Sequence, residues 1–176
     1  MPSILIVFYS RTGATQHVAM QLAKKLGAHT LVIQDAQPRD GFRGYIRSVL
    51  EATRRSLPEI RHPYIDLAQY DLVVLGSPVW AGHVSSPMRR FLCDSQGNIR
   101  RVAFFCTMGG RGADTTFSDM RSLVGKAPEA TLTLIRGDAL SETHSSQIDQ
   151  FVAKLERACV GRRNPARHPL QALTPR

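Results

Sequence analysis

The run Ile4-Leu5-Ile6-Val7-Phe8-Tyr9-Ser10-Arg11-Thr12-Gly13-Ala14-Thr15, followed at once by a helix-periodic stretch from Gln16, decides how the chain folds. Its first half is apolar, rich in β-branched and aromatic residues and about six residues long, which describes a strand buried on both faces. Beyond it, Val18, Ala19, Leu22, Ala23 and Leu26 recur at i, i+3/i+4 spacing, the apolar stripe of a helix. Between strand and helix lie the hydroxyls of Ser10, Thr12 and Thr15, with Gly13 among them. Two readings fit. The hydroxyls cap the helix start, as Ser and Thr commonly do. Alternatively, they join the free helix N–H groups, which carry roughly half a positive charge, in cradling a phosphate. The loop lacks the lysine of a triphosphate-binding G-x-x-x-x-G-K-[ST] loop and has one glycine where G-x-G-x-x-G needs three, so neither of those sites is indicated.

Apolar runs and helical patterns alternate down the rest of the chain. Strands are expected at 3–9, 29–34, 71–76, 101–106 and 131–136, and helices at 14–26, 42–56, 85–93, 114–124 and 144–159. Short, non-alternating apolar strands in strict βα alternation predict an α/β fold. It is a doubly wound five-stranded parallel sheet of order 2-1-3-4-5, with helices on both faces. In the 42–56 helix, Phe42, Tyr45, Ile46, Val49, Leu50 and Thr53 share one face, with Arg43, Arg47 and Arg54 away from it. That stripe is expected to pack into the core, with Tyr45 and Phe42 as candidates to reach a ligand or partner; if exposed, it would instead point to a homodimer. Pro58 and Pro63 make 57–70 an extended connection. One domain is expected over 1–160, and a basic tail from Gly161 with too little apolar surface to order itself.

Composition narrows the function classes. A chain of 176 residues, 43% hydrophobic, suits a single well-buried domain. No charged-then-apolar leader and no run near the roughly 18 apolar residues of a membrane span appear, so a cytoplasmic location is expected. Cys93, Cys106 and Cys159 are widely spaced without C-x-x-C and read as buried thiols. The scattered histidines (His17, His29, His62, His83, His144, His168) show no metal-ligand spacing, so no metal is expected. The net charge of +9 and pI near 10.2 come mostly from arginine: Arg39, Arg43, Arg47, Arg54, Arg55 and Arg61 in one segment, and Arg162, Arg163, Arg167 and Arg176 at the end. Such a surface attracts acidic proteins or anionic substrates, or is simply solvated. No nucleic-acid module accompanies it, and nucleic acid is not the expected partner.

In a parallel sheet, ligands bind at the C-terminal strand edge where the strand order switches. Three loops meet there. After the first strand comes the hydroxyl loop; after the third, Gly76-Ser77-Pro78-Val79-Trp80-Ala81-Gly82-His83 with the only Trp; after the fourth, Thr107-Met108-Gly109-Gly110-Arg111-Gly112. An anion cradle, a flat aromatic and a glycine-rich close approach would surround one elongated ligand. Trp80, beside Gly and Ser at a strand end, is expected to be exposed to that ligand rather than packed in the core. Cys106 and Arg111 fall one residue short of the C-x₅-R spacing of a cysteine phosphatase.

Over residues 3 to 160 the chain resembles the flavodoxin family, through Tyr9-Ser10-Arg11-Thr12-Gly13-Ala14-Thr15, Leu67 to Trp80, and Phe105-Cys106-Thr107-Met108-Gly109-Gly110. The resemblance implies flavin mononucleotide (FMN) as cofactor. Ser10, Arg11, Thr12, Gly13, Ala14 and Thr15 would hold its phosphate. Ser77, Pro78, Val79, Trp80, Ala81 and Gly82 would line the ring, and Thr107, Met108, Gly109 and Gly110 would close the other side. Ala81 or Gly82 would turn a carbonyl toward the ring. His83 is a candidate proton donor to a bound substrate, against the plainer reading of a surface histidine.

The chain departs from the acidic electron shuttles of that family. It is strongly basic, and its third loop carries no aromatic to cover the ring. An uncovered face leaves room for a nicotinamide from NADPH or NADH, and then for a quinone or similar acceptor, with Arg11, Arg111 and His83 to orient an anionic donor. The resemblance therefore implies an NAD(P)H-dependent oxidoreductase. An electron carrier between redox partner proteins and a flavin-free α/β binding module are the alternatives. Positive charge stabilises an anionic reduced ring, and each pKa-sized unit of that effect is worth about 1.4 kcal/mol. Potentiometric titration of the FMN-loaded protein is expected to place the second reduction at a less negative potential than in acidic shuttles; a value as low as theirs would contradict the charge argument.

Overall fold

The computed structural model describes residues 2–37, 41–95, 97–135 and 144–160. The expected tail from Gly161, with its four arginines, and Arg39 lie outside the described residues. Five parallel strands form the main sheet: β1 (Ile4–Phe8), β2 (His29–Val32), β5 (Leu72–Trp80), β7 (Val102–Met108) and β8 (Thr131–Ile135), in the order β2-β1-β5-β7-β8. This is the 2-1-3-4-5 order expected. Two short strands, β3 (Gln34–Asp35) and β4 (Ile60–Arg61), pair antiparallel by themselves, and β6 (His83–Val84) folds back on the end of β5. Neither was foreseen. The β3–β4 pair anchors the middle of the 57–70 connection, which otherwise ends in a 3-10 turn at Leu67–Gln69.

Successive side chains of a strand point to opposite faces, and here both faces are buried. Ile4, Ile6 and Phe8 pack with Val18, Leu22, Ile148, Phe151 and Leu155 of α1 (Ala14–Leu26) and α5 (Ser145–Val160). Leu5, Val7, Val73 and Leu75 pack on the other side with Met88, Phe91, Met120 and Val124 of α3 (Ser86–Asp94) and α4 (Ala113–Val124). Between the layers, Phe105 lies over Gly76 so closely that a Cβ on Gly76 would stand 2.0 Å from its ring. Gly76 is thus required by packing, where β1 and β5 last pair as Phe8↔Gly76.

Helix α2 (Gly41–Thr53) overturns one expectation. Its buried residues are Gly44, Ser48 and Ala52, at i, i+4 and i+8, while Phe42 (75% exposed), Tyr45 (53%), Ile46 (41%) and Leu50 (46%) face outward. The small residues let the helix lie close, and Ser48 satisfies its hydroxyl by donating to the Gly44 carbonyl at 2.7 Å. The large apolar stripe is therefore surface, not core.

Replacing Gly76 with Ala forces Phe105 out of its place in a close-packed interior. The expected cost is about 1–3 kcal/mol in urea unfolding; an unchanged midpoint would show that the ring moves aside freely.

Candidate functional site

A cavity of about 280 Å³ opens at the C-terminal edge of β1, β5 and β7. The chain enters the sheet at β1, goes out to β2 and returns by β5 on the other side of β1, so the cavity occupies the switch in strand order where α/β proteins bind ligands. Arg11, Thr12, Ala14 and Thr15 line it from the first loop, Pro78, Val79, Trp80 and Ala81 from the end of β5, and Thr107, Met108 and Gly109 from β7 and the residues after it. Three of the loops read from the sequence thus converge. The second and third are less loop than expected, since β5 continues to Trp80 and β7 to Met108. Pro78 is tolerated in this strand because it lies past the last β1 pairing.

The first loop divides the labour of its hydroxyls. Ser10 Oγ accepts the Gly13 N–H at 3.1 Å, a local bond that shapes the turn. Gly13 is the N-cap, with φ 88°, and no side chain caps the helix behind it. The N-terminal N–H groups of α1 therefore face the cavity end with their partial positive charge. Thr12 is exposed and lines the cavity. Thr15 is buried, and its hydroxyl bonds that of Thr107 at 2.8 Å, tying the first loop to the end of β7. Arg11 reaches across to α2: it donates to the Gly41 carbonyl at 3.2 Å, and its guanidinium lies 5.7 Å from the centroid of the Tyr45 ring.

The apolar wall differs from expectation in two ways. Trp80 is 9% exposed, with its ring edge-on to Tyr9 at 5.4 Å, so it belongs to the core as well as to the cavity wall. Burial of the indole against Tyr9 holds it more firmly than an exposed ring would be held. In addition, Tyr45, Ser48 and Val49 of α2 line the cavity, which brings in a second aromatic that the loops themselves lack. Tyr45 was legible only as one of two candidates on a stripe assigned to the core.

Beyond Trp80, the chain turns through Ala81 (φ 49°) and Gly82 (φ 83°) and pairs back as Trp80↔His83. Two consecutive positive φ angles define the hairpin turn whose twist matches paired strands; glycine accepts this conformation and alanine is strained in it. The turn is secured from outside. Ser77, which does not line the cavity, receives the Ser85 N–H at 3.1 Å and bonds the Ser85 hydroxyl at 2.9 Å. Asp119 of α4 binds His83 Nδ1 at 3.0 Å and accepts from Arg89 at 2.9 Å and from the Val84 N–H at 3.4 Å. Gly112 approaches so closely that a Cβ there would lie 2.7 Å from the Gly82 Cα. His83 is therefore a strut of the turn and does not line the cavity. Gly82 and Gly110 also stand outside the lining, and Arg111 is exposed and outside it. Asp119 and Arg89 were missed, and Gly112 was read only as part of a glycine-rich loop, because each acts on residues about thirty positions away, beyond the reach of periodicity or local motif.

Cys106 cannot serve as a phosphatase nucleophile. It is fully buried beneath the site, its thiol donates to Thr133 Oγ1 at 3.8 Å, and burial pushes its pKa up to about 11, away from the thiolate that chemistry needs. Cys159 is also buried and Cys93 half-buried. Among the described residues no cluster of His, Cys, Asp and Glu suits a metal, and no helix is long and apolar enough to cross a membrane.

A doubly wound sheet of this order, with an uncapped helix N-terminus, an aromatic wall and a hairpin around one cleft, defines the flavodoxin-like class of α/β proteins. The family model described as Flavodoxin matches residues 3–155, and the chain belongs to that family. Solved structures with the same fold include a flavoprotein in complex with FMN from Lactobacillus acidophilus NCFM. It is 22% identical, with TM-score 0.67, covering 86% of this chain and 99% of that one. A flavoprotein from Bacteroides eggerthii is 20% identical, with TM-score 0.70, covering 87% and 97%. The apo form of an NADH:FMN oxidoreductase is 12% identical, with TM-score 0.53, covering 89% and 90%. No curated protein sequence matches the chain.

Arg89 and Asp119 have side chains only 7% and 11% exposed, so removing the carboxylate strands a buried cation. Asp119→Ala is expected to destabilise the protein by about 3 kcal/mol in chemical denaturation. A loss below about 1 kcal/mol would mean the pair behaves as an exposed one.

Proposed function

We propose that the cleft binds FMN and that the protein is an oxidoreductase, drawing electrons from NADPH or NADH and passing them to a quinone or similar small acceptor. The residues present fit the group. A phosphate monoester needs N–H and O–H donors, which the uncapped start of α1 and Thr12 supply, with Ser10 shaping the loop. A flat ring needs an apolar wall and backbone polar groups, which Trp80, Val79, Tyr45 and the backbone at Ala81 provide. Bound FMN supplies the hydride and electron chemistry; the chain supplies binding, orientation and access.

Access is the observation that favours an oxidoreductase. A Cβ placed on Gly109, which lines the cleft, would meet nothing within 4 Å, so the β7 side of the cleft is open where an aromatic would otherwise cover it. A nicotinamide, and later an acceptor ring, have room to stack there. Arg11 on the lining and the chain's net charge of +9 attract the anionic donor. An electron carrier working between proteins remains the second reading. Its specific support is the exposed apolar face of α2, whose Tyr45 and Val49 also reach the cleft.

Purified protein is expected to take up one FMN and turn yellow; a colourless protein that ignores added FMN would remove the proposal. Under anaerobic conditions, prompt bleaching by NADPH or NADH identifies the oxidoreductase, and bleaching only with a partner reductase identifies the carrier. Thr12→Ala is expected to weaken FMN binding by about 1.5–3 kcal/mol, the worth of a hydrogen bond to a charged group. It should leave riboflavin, which lacks the phosphate, unaffected. Equal losses for both ligands would take Thr12 away from the phosphate.

A further inference from the structure

Helix α2 presents a surface that neither the core nor the cleft uses up. Phe42, Ile46 and Leu50 are exposed on successive turns, with Leu57 exposed just beyond the helix. Beside Ile46 and Leu50 lies an open, shallow groove of about 340 Å³, lined also by Arg43, Arg47, Glu51, Arg54 and Ser56. Contiguous apolar surface of this kind on a folded protein marks a place where something binds. Its rim is cationic. Five arginines and two glutamates occupy residues 41–61. Glu51 is already committed, one oxygen to Arg47 at 2.7 Å and the other to the Ser86 hydroxyl at 2.8 Å. Arg43, Arg54, Arg55 and Arg61 are exposed and have no carboxylate partner among the described residues.

We propose that this face docks an acidic protein partner, which inserts an apolar side chain into the groove and sets carboxylates against Arg43 and Arg54. Charge selects the occupant. A second copy would meet this one through the same patch, as two-fold interfaces do, opposing arginine to arginine on chains of net charge +9. An anionic bilayer would neutralise the arginines but offers no fixed set of carboxylates to pair with Arg43 and Arg54. Arginine's planar fork suits paired contacts with carboxylates. The face also continues into the cleft, because Tyr45 belongs to both. A partner seated on α2 therefore sits at the rim of the candidate site, whichever of the two functional readings holds.

The test reads binding alone and needs no flavin chemistry, so it stands apart from the test of FMN uptake. The probe is a fluorescent amphipathic helical peptide with Leu and Phe on one face and Glu elsewhere, compared with a scrambled peptide of identical composition. At low salt the ordered peptide is expected to bind about tenfold tighter than the scrambled one, and to weaken as salt is added. Arg43→Glu with Arg54→Glu, and separately Ile46→Ser with Leu50→Ser, should each weaken it about tenfold or more. Arg157→Glu, on the exposed side of α5, should not. The arginine variants alter only exposed side chains, and they decide the matter if the apolar pair fails to fold. Equal binding of the two peptides, or indifference to the arginine variants, overturns the proposal. It is overturned equally if Ile46→Ser with Leu50→Ser dissolves a dimer seen by light scattering. The same holds if the face sediments with phosphatidylserine vesicles while ignoring the peptide.

Discussion

Burial of both faces of a short parallel sheet is the constraint from which the rest follows. Ile4 to Phe8 have no exposed face, so helices must cover each side and the connections between the parallel strands must cross over the sheet. Crossovers place all strand C-termini on one edge, and the reversal between β2 and β5 opens a cleft there. The first helix begins at that cleft because the first strand ends at it. Its N–H groups and the hydroxyls of the intervening loop are therefore delivered to the same end of the cavity. The chemistry of the site is a by-product of how the core is closed.

The cleft is polar at one end and apolar at the other, and different parts of the chain maintain each. The polar end is local: a glycine N-cap, a serine turn and threonines within a few residues. The apolar end is assembled at long range. Trp80 leans on Tyr9, just past the end of β1, Tyr45 comes from α2, and the turn after Trp80 is held by Asp119 of α4 and closely approached by Gly112 at that helix's start. This division explains what was legible in the sequence. The strand order, the main helices and the three converging loops follow from periodicity and punctuation, which are local signals. The hairpin's supports from α4 follow from contacts between residues some thirty positions apart, which no local pattern records.

Helix α2 shows where periodicity alone misleads. Its sequence holds two stripes, one of large apolar residues and one of Gly44, Ser48 and Ala52. A hydropathy pattern favours the first as the buried face. Close approach to the sheet favours the second, and Ser48 loses little by burial because it bonds its own helix. Periodicity establishes that a helix has faces; which of them turns inward is decided by the space the sheet leaves. The same limit applies to Trp80, whose position at a strand end was readable while its burial against Tyr9 was not.

Ala81 has a further consequence. An alanine at φ 49° costs about 1–2 kcal/mol relative to a relaxed backbone, and the energy is held in place by bonds made on the far side of the hairpin. The wall beside Trp80 therefore keeps its bend through Ser77, Ser85 and Asp119, none of which lines the cleft. Helix α4 thus does two things at once: Met120 and Val124 close the core, and Asp119 braces a turn that belongs to a neighbouring hairpin.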